Sequence, residues 1–526
     1  MSITSFSFLI FLGVVIGVYY LLPDRYQWMF LLAANVVFYL FAGPKYIVYL
    51  LITVCTTWYG AKRIGVLSEE CAGRIASVGK SEEKALKQEF LGRKRHILIL
   101  VLLINFGILG VLKYFQVLFK DLAALCFPQA GEALAIRWIL PLGISFYIFQ
   151  SMGYLIDVYR GKYKPEQNFF KYALFASFFP QMVQGPIGRF EDLAPQLYAG
   201  RRFDYEKLTF GAQLMLWGFF KKLVIADRIA NLTGTIFVKS ETYSGVLIVV
   251  GMLAYTLQIY ADFSGGIDIV TGAAETLGIH LAPNFERPNF AQDVPEFWRR
   301  WHITLGAWFR DYVFYPLSLS RFFTQMRKKT RKIFGNYIGK MIPIIIPQFI
   351  VFFLVGVWHG ANWKYCVFGF YHGILIVATI LLEDIMAGFW KKLHVNTEHI
   401  IWRCLRILCT FILVAFGRVI TSAPDLSDFG RMVASIFTHF DYQAVQGGAI
   451  FGYGIDKRNC LVLAIALLIV FCASLLQEKG IVIRKAMQKM PLPVRWLGYL
   501  FLLFAVLIFG IYGIGYNASD FVYRGF

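Results

Sequence analysis

Two tryptophan–histidine pairs, Trp301-His302 and Trp358-His359, lie in or beside long apolar stretches of the chain. An ionisable side chain inside a membrane is costly, so a histidine in such a stretch is a candidate functional residue. Histidine has an ordinary pKa of about 6.5, and it can take a proton from a hydroxyl group and return it. Glycines flank the second pair and allow another segment to approach closely. The pairs therefore predict proton-transfer chemistry at His359 and make His302 a second candidate.

The composition predicts a membrane protein. Of the 526 residues, 58% are hydrophobic and 16% are charged, whereas about 25% are charged in an average soluble domain. Repeated apolar runs approach the roughly 20 residues that a helix needs to cross a bilayer, so we predict an all-α polytopic protein with about 11–13 transmembrane helices. The first run, Phe6–Leu22, lacks a basic segment and a small-residue cleavage site, and we expect a retained helix instead of a signal peptide.

The positive charge collects between the apolar runs. The formal net charge is +20, and lysine and arginine concentrate in loops that stay on the cytoplasmic side of a membrane. With three spans before the first basic loop, this rule predicts an N-terminus outside the cytoplasm. It also explains the charge without a nucleic-acid partner. The basic segments are Lys62–Arg95, Arg321–Lys340 and Lys479–Arg495.

The region from about Pro141 to Gly373 differs from the plain apolar runs on either side. Proline, glycine and charged residues break its apolar pattern, as in the stretch from Asp262 to Gly266. Irregular backbone at membrane depth persists only where protein encloses it or where it lines a wet cavity. We therefore predict one membrane-embedded domain, 1–526. It would have N-terminal helices (1–120), a catalytic core of re-entrant or tilted segments around a central tunnel (141–373), and C-terminal helices (401–516).

The segment Asp293–Pro316 has the pattern of an amphipathic helix. Aromatic and apolar residues recur on one helical face, and charged residues lie largely off it. Asp293, followed by Pro295 and Glu296, is typical of a helix N-cap with a capping box. His302 borders the aromatic face, so two alternatives stay open: a functional histidine, or an anchoring aromatic belt with an incidental one. The face comprises Trp298, Trp301, Leu305, Trp308 and Tyr312.

Other polar residues have structural alternatives. Asp262 and Asp268 indicate either a broken helix or buried ion pairs, with Arg287 and the Arg310-Asp311 pair as expected partners; structural pairing is favoured over direct chemistry. His372 follows His359 by thirteen residues, roughly 220° around a helix, so we expect it to have a supporting role.

Metal and hydrolase chemistry are not indicated. The histidines lack the spacing of a zinc site, and no metal ligands are predicted. The eight cysteines form no CxxC pair and are typical of small apolar core residues. A GxSxG nucleophile motif, which would indicate a serine hydrolase, is absent from the sequence.

Five longer segments carry motifs in a fixed order: PLGISFYIFQSMGYLIDVYRG (Pro141–Gly161), FFPQMVQGPIGRFEDLAPQL (Phe178–Leu197), YADFSGGIDI (Tyr260–Ile269), PNFERPNFAQDVPEFWRRWHITLGAWFRDYVFYPL (Pro283–Leu317) and GVWHGANWKYCVFGFYHG (Gly356–Gly373). Together they resemble the membrane-bound O-acyltransferase family. The similarity is closest to bacterial alginate O-acetyltransferases, with the D-alanyl transfer proteins of teichoic acid modification as near relatives. It covers the core region, and the flanking helices are compatible with it.

The resemblance implies a transmembrane acyltransferase with tilted helices around a thin centre. The family's histidines fall on His359, in the Trp-His-Gly motif, and on His302. His359 would act as the general base on an attacking hydroxyl, and His302 would position the acyl donor or polarise its carbonyl. Tunnel-lining or supporting roles are expected for Trp301, Trp358, Asn362, Arg310, Asp311, Asp262, Asp268 and His372.

The resemblance also implies the substrates. No cofactor would be held permanently; the co-substrate would be an acyl thioester, either acetyl-CoA or an acyl carrier protein, on the cytoplasmic side. The acceptor would be an extracytoplasmic polysaccharide or cell-wall polymer, reached directly or through an accessory acyltransferase protein. The expected location is the bacterial cytoplasmic membrane, in contact with lipid.

One departure from the family pattern leaves the substrate open. After Leu317 many polysaccharide acetyltransferases have a Gly-Gly-Asn-Arg-like turn, whereas this chain has Ser318-Leu319-Ser320-Arg321 and a long basic segment. That feature resembles the D-alanyl branch, which uses a carrier-protein thioester, while the chain length and C-terminal helices resemble the acetyl branch. A transporter with an intramembrane histidine relay is less favoured, because no internal repeat is visible.

Overall fold

The computed structural model describes residues 1–41, 43–77, 79–115, 141–238 and 244–512. This part of the chain is helical, and its only pairing of extended residues is an isolated antiparallel bridge between Phe285 and Trp301. The prediction of an all-α polytopic membrane protein is confirmed. The apolar run Ile136–Ile156, which we counted among the predicted transmembrane helices, begins outside the described residues. Cys126, one of the eight cysteines, and the last residues of the predicted C-terminal helices (401–516) also lie outside them.

Most of the helices in the described residues are joined by connections of a few residues, and longer connections precede Val294 and Lys457. Wider π-helical turns occur at Val111–Phe115, Phe220–Ala226 and Arg310–Phe314, and the long helix Arg321–His359 bends at Gly335, where φ is +76°. The helices are α1 Phe6–Leu21, α2 Asp24–Leu40, α3 Ile47–Ile75, α4 Lys80–Gly110, α5 Ile144–Tyr159, α6 Phe169–Ser177, α7 Phe179–Met182, α8 Phe190–Tyr198, α9 Tyr205–Phe219, α10 Asp227–Val238, α11 Gly245–Thr276, α12 Val294–Arg300, α13 Ile303–Phe309, α14 Tyr315–Ser318, α15 Arg321–His359, α16 Trp363–Lys392, α17 Ile400–Ser422, α18 Leu426–Thr438, α19 Lys457–Glu478, α20 Ile483–Gln488 and α21 Leu492–Phe509.

Eight spans in the described residues are long and apolar enough to cross a membrane, and a ninth is counted if α2 and α3 act as one bent pair. This number is lower than the one we predicted, because several apolar helices are short. Helices α1 and α5 have 16 residues each and α2 has 17, which is below the roughly 20 that a bilayer requires. The eight spans are Glu82–Phe115, Tyr205–Val238, Gly245–Thr276, Met341–His359, Trp363–Lys392, Ile400–Ser422, Lys457–Glu478 and Leu492–Phe509.

The chain divides into two compact units, and the first comprises Met1–Ala212 and Val270–Ala282. Its proline- and glycine-rich stretch between α6 and α8 is held by buried amide side chains. The Phe179 N–H donates to Asn35 Oδ1 at 2.9 Å, and the Gly188 N–H donates to Gln150 Oε1 at 3.2 Å. Because these backbone groups find side-chain partners, the irregular backbone that the sequence predicts here can be buried.

The second unit comprises Gln213–Ile269 and Pro283–Phe526. Within it, α11 packs closely on the end of α9 and on the π-helical turn Phe220–Ala226 that follows it. A Cβ added to Gly265 would lie 2.9 Å from the Gly218 carbonyl oxygen, so only glycine permits this approach. The candidate site lies entirely in this unit.

Two consecutive lysines in that turn form buried ion pairs. Lys222 Nζ lies 2.6 Å from Asp262 Oδ1 and 2.8 Å from Asp227 Oδ1, and Lys221 Nζ lies 2.8 Å from Asp268 Oδ2. Both acids of α11 therefore sit in a continuous helix and form ion pairs, which is one of the two alternatives that their sequence pattern left open.

Our prediction of the basic partners of Asp262 and Asp268 was wrong. Arg287 pairs with Glu478 at 2.5 Å, and Arg310 pairs with its neighbour Asp311 at 3.1 Å. The physical reason is the π-helical turn, which directs both lysines toward carboxylates. Sequence spacing based on an α-helix does not anticipate such a turn.

Candidate active site

The segment that we expected to be one amphipathic helix is divided at the Trp301-His302 pair. The Asp293 side chain caps the first half, α12, by accepting the Glu296 N–H at 2.7 Å, as predicted. His302 then has a left-handed backbone, with φ +46° and ψ +52°, and α13 begins at Ile303. A left-handed conformation costs a non-glycine residue roughly 1–2 kcal/mol. The prediction of a continuous helix is wrong, because this residue turns the chain where the apolar spacing continues.

Asn284 stabilises the break. Its Oδ1 accepts the Thr304 N–H at 3.1 Å and the Thr304 hydroxyl at 2.9 Å, and it lies 3.2 Å from His302 Nδ1. Its backbone carbonyl accepts the Ile303 N–H at 3.1 Å. A backbone amide can only donate, so the Asn284 atom at this position is an oxygen and His302 Nδ1 carries the proton.

His302 is buried among aromatic rings. It is 3% exposed, and its ring centre lies 4.9 Å from that of Phe263 and 6.0 Å from that of Trp358. This burial lowers the pKa of His302 to about 3, because the charged imidazolium loses its hydration. The imidazole is therefore neutral with a lone pair on Nε2, which can accept a hydrogen bond but cannot donate one to a carbonyl oxygen.

His359 ends α15 and is also buried, with 6% exposed. Its ring centre lies 5.5 Å from that of Phe368, and the ring stacks on Tyr365 at 6.2 Å. The glycine that precedes the Trp-His pair, Gly356, brings α15 against α16: a Cβ there would lie 2.3 Å from the Tyr365 carbonyl oxygen. The flanking glycine thus has the close-approach function that the sequence indicates.

Trp358 connects the two histidines. Its ring centre lies 6.0 Å from that of His302 and 4.9 Å from that of His359. The sum of these distances limits the separation of the imidazole centres to about 11 Å. The two histidines therefore belong to one cluster, as residues that act on one reacting centre must.

His372 lies beside this cluster, whereas Asn362 lies at the start of α16. His372 is fully buried, and its Nδ1 accepts a hydrogen bond from Trp298 Nε1 at 3.4 Å. Its ring lies 4.6 Å from that of Phe368, which also contacts His359. Asn362 caps α16 by accepting the Lys364 N–H at 3.0 Å, and its side chain is exposed.

A cavity of about 1280 Å³ lies beside the cluster. Trp301 and His302 line it, whereas His359 is not among the lining residues. Much of the wall is apolar or aromatic, with residues from α13, α15 and α16 and from the start of α17. Members of this wall include Leu305, Val351, Phe352, Val355, Ile376, Trp390 and Trp402.

Charged groups on the cavity lining are mostly cationic. The lining includes four basic side chains and two carboxylates, those of Asp293 and Glu383. Asp293 is shared between Arg406, at 3.4 Å, and Arg299, at 3.9 Å. The basic residues are Arg299, Arg310, Lys391 and Arg406. Of the predicted supporting residues, Arg310 therefore lines the cavity. Asp262 and Asp268 instead belong to the lysine cluster, which consists of Lys221, Lys222 and the carboxylates that they bind, Asp227, Asp262 and Asp268.

Two residues near the histidines were missed by our sequence reasoning. Asn284 carried no distinctive pattern beyond its place after Pro283. Arg418 is 3% exposed inside α17, with its guanidinium carbon 4.4 Å from the centre of the Trp301 ring. An arginine within an apolar run was a visible signal for a buried functional group.

Comparisons with known proteins identify the family. The sequence profile of the membrane-bound O-acyltransferase (MBOAT) family matches residues 165–331. A probable alginate O-acetylase of Pseudomonas syringae pv. tomato is 31% identical over 467 residues, which cover 88% of this chain and 79% of the relative. The chain belongs to the membrane-bound O-acyltransferase family.

Two further relatives of this acyltransferase differ in the group or polymer that their names state. A peptidoglycan O-acetyltransferase of Helicobacter pylori is 30% identical over 392 residues, covering 70% of the chain and 67% of the relative. A teichoic acid D-alanyltransferase of Bacillus subtilis is 30% identical over 285 residues, covering 53% of the chain and 68% of the relative. The protein is thus a multi-pass membrane O-acyltransferase, and the family resemblance of its motifs is confirmed.

Proposed function

We propose that this acyltransferase transfers an acetyl group from a cytoplasmic thioester to hydroxyls of a polysaccharide or cell-wall polymer outside the bacterial cytoplasmic membrane. The observation that carries the proposal is a large cavity lined by His302, whose ring belongs to the same aromatic cluster as Trp358 and His359. Relatives that cover most of the chain have names that state O-acetylation of a polymer. An accessory acyltransferase protein that relays the acetyl group outward is an alternative acceptor.

The proposed chemistry uses His359 as the general base. The acceptor oxygen attacks the thioester carbonyl carbon while the imidazole takes its proton. The new C–O bond pushes the carbonyl electron pair onto the carbonyl oxygen. When that pair returns, the C–S bond breaks, and the leaving thiolate takes the proton back from the imidazolium. The thioester is the only co-substrate that this sequence of steps consumes.

The cavity suits the donor for two reasons. Its apolar wall favours the acyl chain and the thioester, which carry little charge. Its lining carries more basic than acidic side chains, and this excess of positive charge favours the phosphate groups that both coenzyme A and a carrier-protein prosthetic group contain. His302 Nε2 would accept a hydrogen bond from the donor or acceptor, so its proposed role is positioning and not polarising the carbonyl.

Transfer of D-alanine from a carrier protein is the second candidate. The first part of α15, before the bend at Gly335, is exposed and strongly basic. Such a surface fits an acidic carrier protein. The exposed basic residues are Arg321, Arg327, Lys328, Lys329, Arg331 and Lys332.

The test is transfer by the purified enzyme in liposomes. Radiolabelled acetyl-CoA, acetyl carrier protein and D-alanyl carrier protein are each supplied on the face that exposes the basic segment. An acetylated polysaccharide in either of the first two assays supports the proposal. Transfer from the D-alanyl carrier alone supports the second candidate, and no transfer from any donor contradicts both.

A further inference from the structure

Arg418 is a buried cation near the two histidines, and its side chain donates no hydrogen bond within the described part of the chain. Its guanidinium lies on the face of Trp301, a cation–π contact at 4.4 Å. Among the described residues, no carboxylate or carbonyl oxygen accepts a hydrogen bond from it. A guanidinium has five N–H donors, and burying such a charge without compensation is costly. A bound anion would supply that compensation.

A second buried donor lies next to Arg418. His372 Nδ1 accepts the Trp298 N–H, so the neutral imidazole carries its proton on Nε2. Nε2 is buried, without a hydrogen-bond acceptor in the described part of the chain. It faces the backbone beside Arg418, because a Cβ on Gly417 would lie 2.6 Å from it.

The reaction needs donors that His302 does not provide. With its proton on Nδ1 toward Asn284, His302 presents a lone pair on Nε2. A donor for a negatively charged oxygen must therefore come from another residue. Arg418 contacts Trp301, the neighbour of His302, so its charge lies near the reacting centre.

We propose that Arg418 and His372 form a site that binds a negatively charged oxygen, an inference that rests on the proposed function. Two sources fit this chemistry. One is a carboxylate on the acceptor polymer, which an arginine binds in a bidentate manner. The other is the oxyanion that forms on the acyl carbonyl oxygen during transfer, which buried donors stabilise.

The first test measures anion binding without catalysis. The thermal unfolding of the purified protein in detergent is followed as sodium acetate replaces sodium chloride at constant ionic strength. Acetate binding to the folded state should raise the unfolding temperature in a saturable way. Arg418→Met should weaken the acetate affinity at least tenfold, while Arg403→Met, an exposed arginine of the same helix, should leave it unchanged.

An equal acetate effect in the wild type and Arg418→Met, or no effect of acetate beyond that of chloride, overturns the proposal. If Arg418→Met does not fold, Arg418→Lys decides, because lysine keeps the charge but loses the planar fork. Its acetate affinity should fall severalfold, and an unchanged affinity contradicts the site. These measurements stand even if the wild type transfers no acyl group, which would contradict the proposed function alone.

The second test separates the two sources by the kinetics of Arg418→Lys. A carboxylate source predicts a raised KM for an acidic polysaccharide and an unchanged KM after its carboxyl groups are reduced to alcohols. An oxyanion source predicts a lower kcat with both polymers and an unchanged KM. Unchanged kcat and KM with both polymers overturn the proposal.

Discussion

The position of a single proton distinguishes the buried histidines. His302 carries its proton on Nδ1 because Asn284 accepts there, and His372 carries its proton on Nε2 because Trp298 donates to Nδ1. One imidazole can therefore only accept a further hydrogen bond, and the other can only donate. This division leaves His359, at the end of α15, as the candidate for proton transfer during the reaction.

The first prediction concerns His359. His359→Ala should lower kcat by about 10²- to 10⁴-fold, because a general base typically contributes that much. Acetyl transfer by the purified variant in liposomes measures the effect, with thermal unfolding as a check on folding. His280→Ala, an exposed histidine outside the cluster, should keep the wild-type rate. A fully active, folded His359→Ala enzyme would remove this residue from the mechanism.

The second prediction concerns Asn284. Asn284→Leu should cost about 1–3 kcal/mol of stability, because Thr304 N–H and His302 Nδ1 lose a buried acceptor. The proton on His302 would no longer be fixed, so kcat should fall as well. Denaturation in detergent and transfer kinetics measure the two effects. Asn396→Ala, at an exposed cap in a loop, is the control; equal stability of both variants would refute the role of Asn284.

At the scale of secondary-structure elements, the lysine cluster fixes the packing of α11. Phe263 of α11 stands between Asp262 and Ser264 in the sequence, and the centre of its ring lies 4.9 Å from that of His302. Lys222 binds Asp262, and Lys221 donates to the Ser264 hydroxyl at 2.9 Å. The ring against the histidine is thus held by contacts on both sides of it in the sequence.

The third prediction follows from this packing. Lys222→Met should destabilise the protein by about 3–5 kcal/mol, because it removes the buried cation that pairs with the carboxylates of Asp262 and Asp227. The double variant Lys222→Met with Asp262→Asn should recover part of that loss. Chemical denaturation of the two single variants and the double variant measures the coupling. Additive losses would show that Lys222 and Asp262 do not stabilise each other.

Features that depend on neighbouring residues could be predicted from the sequence, whereas features that depend on residues distant in the sequence could not. The Asp293 cap was predictable, because capping uses residues close in sequence. The break at His302 was not, because its backbone depends on Asn284, eighteen residues earlier. The partners of Asp262 and Asp268 were missed for a similar reason. They come from another helix, and a π-helical turn determines which side chains reach them.

At the scale of the whole molecule, the distribution of charge predicts the orientation in the membrane. The segments Arg74–Lys87 and Arg327–Lys332 are rich in exposed basic residues. Lysine and arginine favour the cytoplasmic side, so both segments should lie there. Both segments would then face the compartment in which acyl thioesters are made.

The fourth prediction tests this orientation. Single cysteines are placed in each basic segment of a variant whose own cysteines are replaced. Both should react with a membrane-impermeant maleimide only after the cytoplasmic face is opened. A cysteine at Gln446, in the connection before α19, should instead react in intact cells if α18 and α19 flank an outer loop. Labelling of either basic segment in intact cells would reverse the assignment.

The π-helical turn Phe220–Ala226 has a genetic consequence. Lys222 and Asp227 are five residues apart and form an ion pair at 2.8 Å, although in an α-helix they would point about 140° apart. Deleting one codon within this turn would restore ordinary α-helical spacing and rotate one lysine away from its carboxylates. Replacing an apolar residue there alters one side chain and leaves the spacing intact. This stretch of the gene should therefore tolerate codon substitutions at apolar positions far more readily than in-frame deletions or insertions of one codon.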